Sequence, residues 1–141
     1  NVNEVYGHTH RTALLGLLML VDICSQNVIS LVERLILFGA DSNYKNLYGN
    51  TALYYACCES DTKLMVEMLL KYGADPNILC RTGNTPLIIS SKYPHAHQHI
   101  PILLQAGANP TLKNDEGKTA IDMCNNQAMK DLMIEKAKEF V

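Results

Sequence analysis

Apolar residues in this chain fall into short clusters with helical spacing, and the clusters come in pairs. "TALYYACC" (51–58) gives way to a polar break, "ESD", and then to "TKLMVEMLLKY" (62–72), where Leu64, Met65, Met68 and Leu69 share helical spacing. A threonine stands before the first cluster of each pair, at Thr51, Thr85 and Thr119, where a hydroxyl can accept from the free N–H groups of a helix start. Pro86 follows Thr85 at the first helical position, which tolerates proline. Gly73 closes the second helix, where a left-handed residue is needed. "ADPNILCRTG" (74–83) then reads as an extended turn leading to the next pair. The pattern predicts an all-α fold of helix pairs joined by projecting, hairpin-like turns.

These pairs recur with a fixed period. "LILFGADSN" (35–43), "LLKYGADPN" (69–77) and "LLQAGANPT" (103–111) place Gly39, Gly73 and Gly107 34 residues apart. "YGNTAL" (48–53), "TGNTPL" (82–87) and "EGKTAI" (116–121) place Gly49, Gly83 and Gly117 at the same spacing. Two independent series with one period mark stacked supersecondary units, none of which can bury both of its faces alone. A looser copy begins at "RTAL" (11–14); from Thr12 to Gly39 it spans 27 residues against 22 from Thr51 to Gly73, which predicts an enlarged first helix or following turn.

The pattern G-x-T-P-L followed by L-L-x-x-G-A-D-x-N resembles the ankyrin repeat, over nearly the whole chain. The resemblance implies a single solenoid domain, 1–141, of about four stacked helix–turn–helix units, at approximately 7–45, 46–79, 80–113 and 114–141. Family units usually have about 33 residues, so these carry one extra. "NVN" (1–3) resembles the close of a preceding unit, so residues 1–6 are expected to be the tail of one and the chain a piece of a longer repeat protein. The last helix, "QAMKDLMIEKAKEFV", mixes Lys130, Asp131, Glu135, Lys136 and Lys138 with apolar residues, as a soluble end-cap of a stack should.

Composition narrows the function. A net charge of −2 over 141 residues argues against nucleic acid, which requires a basic face. The longest apolar stretch, "ALLGLLMLV" (13–21), is far short of the roughly 20 residues that cross a bilayer. Five cysteines, Cys24, Cys57, Cys58, Cys80 and Cys124, lack C-x-x-C spacing and read as reduced, mostly buried thiols, which suits a cytoplasmic or nuclear setting, or a host cytosol.

Three constellations could carry other chemistry. "EGKT" (116–119) imitates the end of a phosphate-binding loop, but Leu112 stands where that loop needs its first glycine and "KNDE" adds two carboxylates. The expectation is a turn glycine, a solvent-facing Lys118 and a capping Thr119. His95, His97 and His99 suggest a metal site if His95 and His99 share a helix face, yet Pro94 and Pro101 bracket the run, so a helix is expected from near Gln98 with Pro101 in its first turn. Cys57 and Cys58 form the third. A metal- or thiol-dependent enzyme built on these groups is the rival to a binding module; a structural spacer is another. The expectation is no metal, no cofactor, no small-molecule substrate and no catalysis.

In ankyrin-like stacks the turn tips and the exposed edge of each first helix bind partner proteins. Carried onto this chain, the resemblance implies a partner-binding face at Thr9 and Arg11; at Leu47, Tyr48, Asn50, Cys58 and Glu59; at Arg81, Thr82, Asn84, Lys92 and Tyr93; and at Asp115, Glu116 and Lys118. The resemblance also implies that animal asparaginyl hydroxylase could modify Asn43 and Asn77, each with a leucine eight residues before it (Leu35, Leu69) and an aspartate two before it (Asp41, Asp75).

Overall fold

The computed structural model describes residues 3–4, 12–20, 22 and 24–141. Among these are eight α-helices and no strand: α1 (Ala13–Leu20), α2 (Gln26–Leu37), α3 (Ala52–Cys58), α4 (Lys63–Lys71), α5 (Pro86–Ser91), α6 (Ala96–Gln105), α7 (Ala120–Met123) and α8 (Gln127–Ala137). They form two layers. The first helices of the pairs pack in the order α1–α3–α5–α7 and the second helices in the order α2–α4–α6–α8, with each pair also packed on itself.

Local chemistry sets each element. Thr51, Thr85 and Thr119 accept from the N–H groups of Tyr54, Ile88 and Asp122 at 3.3, 3.2 and 3.3 Å, and Pro86 takes the first position of α5. Asp122 returns a bond to the Thr119 N–H at 2.8 Å and completes a capping box. At the other end of the pair, the Gly73 N–H reaches Leu70 O (3.2 Å) and the Ala74 N–H reaches Leu69 O (3.0 Å), with Gly73 at φ +92°. This double closure needs a left-handed residue, and glycine adopts it without Cβ strain. Gly39 and Gly107 repeat the geometry.

The core runs between the layers. Leu14, Leu53 and Leu87 occupy equivalent places in successive first helices and are at most 1 % exposed. Every residue of α5 is buried. In α4 Met65, Met68 and Leu69 are buried, whereas Leu64 points outward and is 56 % exposed.

Two expectations change. The surplus of the first unit lies mostly in its second helix: α2 has 12 residues against 9 in α4, while α1 has 8 against 7 in α3. The helix carrying the histidines starts at Ala96, not near Gln98, so Pro101 stands inside α6 rather than in its first turn. Its ring removes a donor to the His97 carbonyl, and both flanks of α6 remain packed, against α4 and α8, which holds the helix through that gap.

Between units, asparagine side chains join one turn to the next. Asn43 donates to Gly73 O (3.0 Å) and accepts from the Asp75 N–H (2.8 Å); Asn77 donates to Gly107 O (3.0 Å) and accepts from the Asn109 N–H (2.7 Å). Asn3 treats Gly39 O and the Asp41 N–H in the same way, at 2.7 and 2.8 Å. Asn77→Ala removes both bonds of one join and is expected to lower unfolding stability by about 1–3 kcal/mol in urea titration.

Candidate protein-interaction surface

Each projecting turn is a five-residue loop closed at its ends by Asn46 N–H to Asn50 O (3.1 Å), Cys80 N–H to Asn84 O (2.9 Å) and Asn114 N–H to Lys118 O (2.9 Å), and its glycine N–H donates back to the first residue's carbonyl at 2.8, 2.9 and 2.9 Å. In the first and last of these loops an asparagine organises the tip. Asn46 Oδ1 accepts from the N–H groups of Tyr48 and Asn50 (3.0 and 3.1 Å), and Asn114 Oδ1 from those of Glu116 and Lys118 (both 3.0 Å). Cys80 holds that place in the middle loop and offers no comparable acceptor. There Thr82 adopts φ +67°, a left-handed conformation that costs a β-branched residue, and Asn84 Nδ2 donates to its hydroxyl at 2.8 Å.

The three tips form a row. The Arg81 guanidinium lies over the Tyr48 ring at 5.7 Å, and the Asp115 N–H donates to Thr82 O at 3.1 Å. Lys45 Nζ reaches across to Leu79 O at 2.7 Å. Along this row Leu47, Tyr48, Arg81, Thr82, Asp115, Glu116 and Lys118 are exposed and Asn50 is half-buried, its amide donating to the Tyr55 hydroxyl (3.4 Å). Asn84 is the correction. It is 4 % exposed and accepts from Asn114 Nδ2 at 3.0 Å, so it joins two units and does not reach the surface. Arg11 and Thr9 lie outside the described residues.

Leu79 is a surface residue that the sequence reading missed. It is 48 % exposed, as Leu47 (58 %) and Tyr48 (42 %) are on the preceding tip, and lysine holds the equivalent places, Lys45 and Lys113. Reading each tip position across the 34-residue period would have singled it out.

The remaining expected residues stand at the far ends of the first helices. Glu59, Lys92 and Tyr93 are exposed and Cys58 is half-buried. Lys92 and Tyr93, with Ser91, Pro94, Cys124, Asn125 and Asn126, line an open cleft of about 360 Å³. Tyr93 stacks on His95 with ring centres 5.2 Å apart, and His95 meets the His99 ring edge-on at the same separation.

The three histidines do not converge. His97 is exposed, while His99 is fully buried with Nε2 3.0 Å from Thr62 Oγ1. Among the described residues no three His, Cys, Asp or Glu side chains are placed to hold a metal ion. The Thr62 hydroxyl has one proton and faces two main-chain carbonyls, Ala56 O at 2.6 Å and Glu59 O at 3.0 Å, which take it. His99 must therefore donate from Nε2, which leaves Nδ1 buried with no hydrogen-bond partner. A second proton there would find no acceptor. Burial foremost, then the neighbouring His95 and His97, push its pKa down to about 4. The cysteine pair is held protonated: burial raises Cys57 to about 12, and burial with the Glu59 charge raises Cys58 to about 11, which suppresses the nucleophilic thiolate. Asn43 and Asn77 have their amides engaged in the joins between units.

A family model described as ankyrin repeats (three copies) matches residues 19–114, more than half of the chain. The chain belongs to the ankyrin-repeat family. The comparison with curated proteins gave no match. Ankyrin repeats are generally protein–protein interaction modules, and typically non-enzymatic ones. No helix among the described residues is long and apolar enough to cross a membrane.

Two tests follow from this ankyrin surface. A Cβ on Gly83 would meet Asp115 Oδ1 at 2.6 Å and the Asp115 N at 2.9 Å, on a residue at φ +69°; a Cβ on Gly117, at φ +74°, meets nothing within 4 Å. Gly83→Ala should therefore cost clearly more stability than Gly117→Ala, whose loss should stay near the roughly 1–2 kcal/mol of left-handed strain. Equal losses in thermal melts would refute the close packing of the tips. The second test is acid. In the unfolded chain His99 takes its proton near 6.5, and in the folded chain only near 4. The stability it confers is complete above about pH 6.5 and is lost as pH falls from 6.5 towards 4, by at most about 3 kcal/mol. His99→Gln should flatten that part of the stability–pH curve, measured by urea unfolding.

Proposed function

We propose that this ankyrin stack is a non-catalytic recognition module that binds another protein along its row of tips, with Leu47, Tyr48, Leu79 and Arg81 at the centre of the contact. The carrying observation is the exposed apolar and aromatic side chains of the first two tips, Leu47, Tyr48 and Leu79, with the Arg81 guanidinium over the Tyr48 ring. Turn tips are ordinarily polar, and tyrosine and arginine are the types that anchor interfaces. Asp115 and Glu116 extend the row with negative charge, so the partner should carry basic groups beyond an apolar patch. Asn50, Thr82 and Lys118 would supply polar contacts around it, and Glu59, Lys92 and Tyr93 a second contact at the cleft. The net charge of −2 and the free, mostly buried thiols favour a protein partner met in a reducing compartment, cytoplasmic or nuclear. Asn43 and Asn77 are proposed hydroxylation targets, detectable as the added mass of one oxygen atom.

The test is affinity capture with the wild type beside a Tyr48→Ala/Arg81→Ala variant whose helical content is intact. Loss of two such anchors should weaken a specifically retained partner by roughly tenfold or more. Undiminished retention by the folded variant would sink the assignment of the tips and leave the cleft at Lys92 and Tyr93 as the surface to probe.

A further inference from the structure

Unit four is shorter than its neighbours on the side away from the tips. From its capping threonine to the N-cap of its second helix, unit two spans 11 residues (Thr51 to Thr62), unit three 10 (Thr85 to His95) and unit four 7 (Thr119 to Asn126). α7 accordingly has four residues against six in α5, and the chain turns into α8 early. The end of α5 and the loop after it therefore project past the cover that unit four provides, and the space left there is the open cleft of about 360 Å³. That is the lower end of the roughly 300–1,000 Å³ found for ligand pockets. Ser91 and Cys124 are its buried lining residues, and Tyr93 and Pro94 give it apolar surface.

The uncommitted polar groups of the cleft are rich in donors. Lys92 is exposed and makes no ion pair among the described residues. Asn126 Oδ1 accepts from the Met129 N–H at 3.1 Å; only the amide oxygen can accept, so the orientation is fixed and Nδ2 is left without a protein partner. Asn125 beside it makes no side-chain bond within the described residues. The Ser91 hydroxyl and the Cys124 thiol are engaged inside the fold, with Leu87 O at 2.8 Å and Asn126 O at 3.5 Å. No carboxylate lines the cleft; the Glu59 charge acts on Tyr93, but Glu59 is not a lining residue. One ammonium and two amides beside apolar surface suit a monoanion on an apolar stem. A phosphate dianion is ordinarily gripped by clustered arginines, and no arginine lines this cleft.

We propose that this cleft receives the carboxylate of an aspartate or glutamate side chain of the partner protein, with Lys92 Nζ and the Asn125 and Asn126 amides donating to it. This deepens the reading of the tips and rests on it in one respect, that a single partner segment crosses units three and four. At the last tip that segment meets Asp115 and Glu116, which call for basic groups; at the cleft it meets Lys92, which calls for an acid. Charge complementarity thus defines the occupant as a segment with opposite charges at its two ends. The six residues of α5, about 9 Å long, separate the two places. An extended chain advances about 3.3 Å per residue, so the basic and acidic side chains should stand at least about three residues apart.

The experiment selects displayed random peptides of roughly 12 residues, long enough when extended to span both places, on the 141-residue chain. The leading peptide is then measured by fluorescence anisotropy. The expected peptides share an acidic position at that distance from a basic one. Replacing the acid by its amide should weaken binding to the wild type by about fivefold or more, and hardly at all to Lys92→Gln, an exposed substitution that leaves the fold intact. Peptides without a shared acid overturn the proposal, as does an acid that matters equally on Lys92→Gln and on the wild type. A selection that enriches nothing overturns it too. A phosphoserine version that binds far more tightly than the acidic peptide replaces the carboxylate by a phosphate and overturns the assigned chemistry. Tyr48→Ala/Arg81→Ala separates the two readings. Coupling of the acid to Lys92 with no loss in that variant upholds the cleft and removes the tips; the converse upholds the tips and removes the cleft.

Discussion

Every helix pair in this chain has apolar side chains on more than one face, and its helices are short: α3 has seven residues, α5 six and α7 four. Helices of that length do not persist in water unaided, so each exists because the pair before and the pair after hold it. Apolar contact alone would leave the register between pairs loosely set, since it has little directionality. The polar groups at the seams supply direction. Asn43 and Asn77 each clasp a carbonyl and an N–H of the next turn, and Asn114 reaches back to Asn84. These bonds tie side chain to main chain across a fixed distance, so a pair that slid along its neighbour would break both halves of a clasp at once.

The same constraint separates scaffold from surface. Leu47, Arg81 and Asp115 hold equivalent places on equivalent turns, as do Tyr48, Thr82 and Glu116, yet their chemistry differs at every step. The turn is set by its glycine, its cross-bond and, in two cases, an asparagine, so the exposed side chains can differ with little effect on the stack. Unit three is the exception. With Cys80 in place of the organising asparagine, Thr82 is held in a left-handed conformation and Asn84 is drawn inward to support it. There an exposed position, Thr82, is part of the scaffold.

Local rules made much of this legible in advance. The threonine caps, the closing glycines, Pro86 and the all-α stack follow from interactions within a few residues, which a periodic sequence displays. The failures involve pairings across units. Asn84 looks like a free tip residue until Asn114, thirty positions on, is placed against it. The sequence reading expected no metal at the histidine run but could not name the partner of His99, which is Thr62, 37 residues earlier. Pro101 argued for a later helix start, and packing on both flanks of α6 overrides that local preference. The position of the first unit's surplus could not be read at all, because length alone does not say which helix absorbs it.

Unit three concentrates these departures. At its seam with unit two His99 stands where units two and four use methionine, with a buried nitrogen lacking a partner. On its tip Thr82 is strained, and towards unit four Gly83 leaves no room against Asp115. The unpartnered nitrogen weakens unit three's attachment to unit two relative to an apolar joint. The proposed contact residues straddle this seam, Tyr48 on one side and Arg81 on the other, already touching through the cation–ring contact. A partner that grips both residues holds the two units together, and by linkage stabilises the joint in proportion to how much better it binds the closed form. On the proposed assignment, recognition and the integrity of this seam would be coupled: whatever loosens unit three would also separate the two halves of the proposed surface.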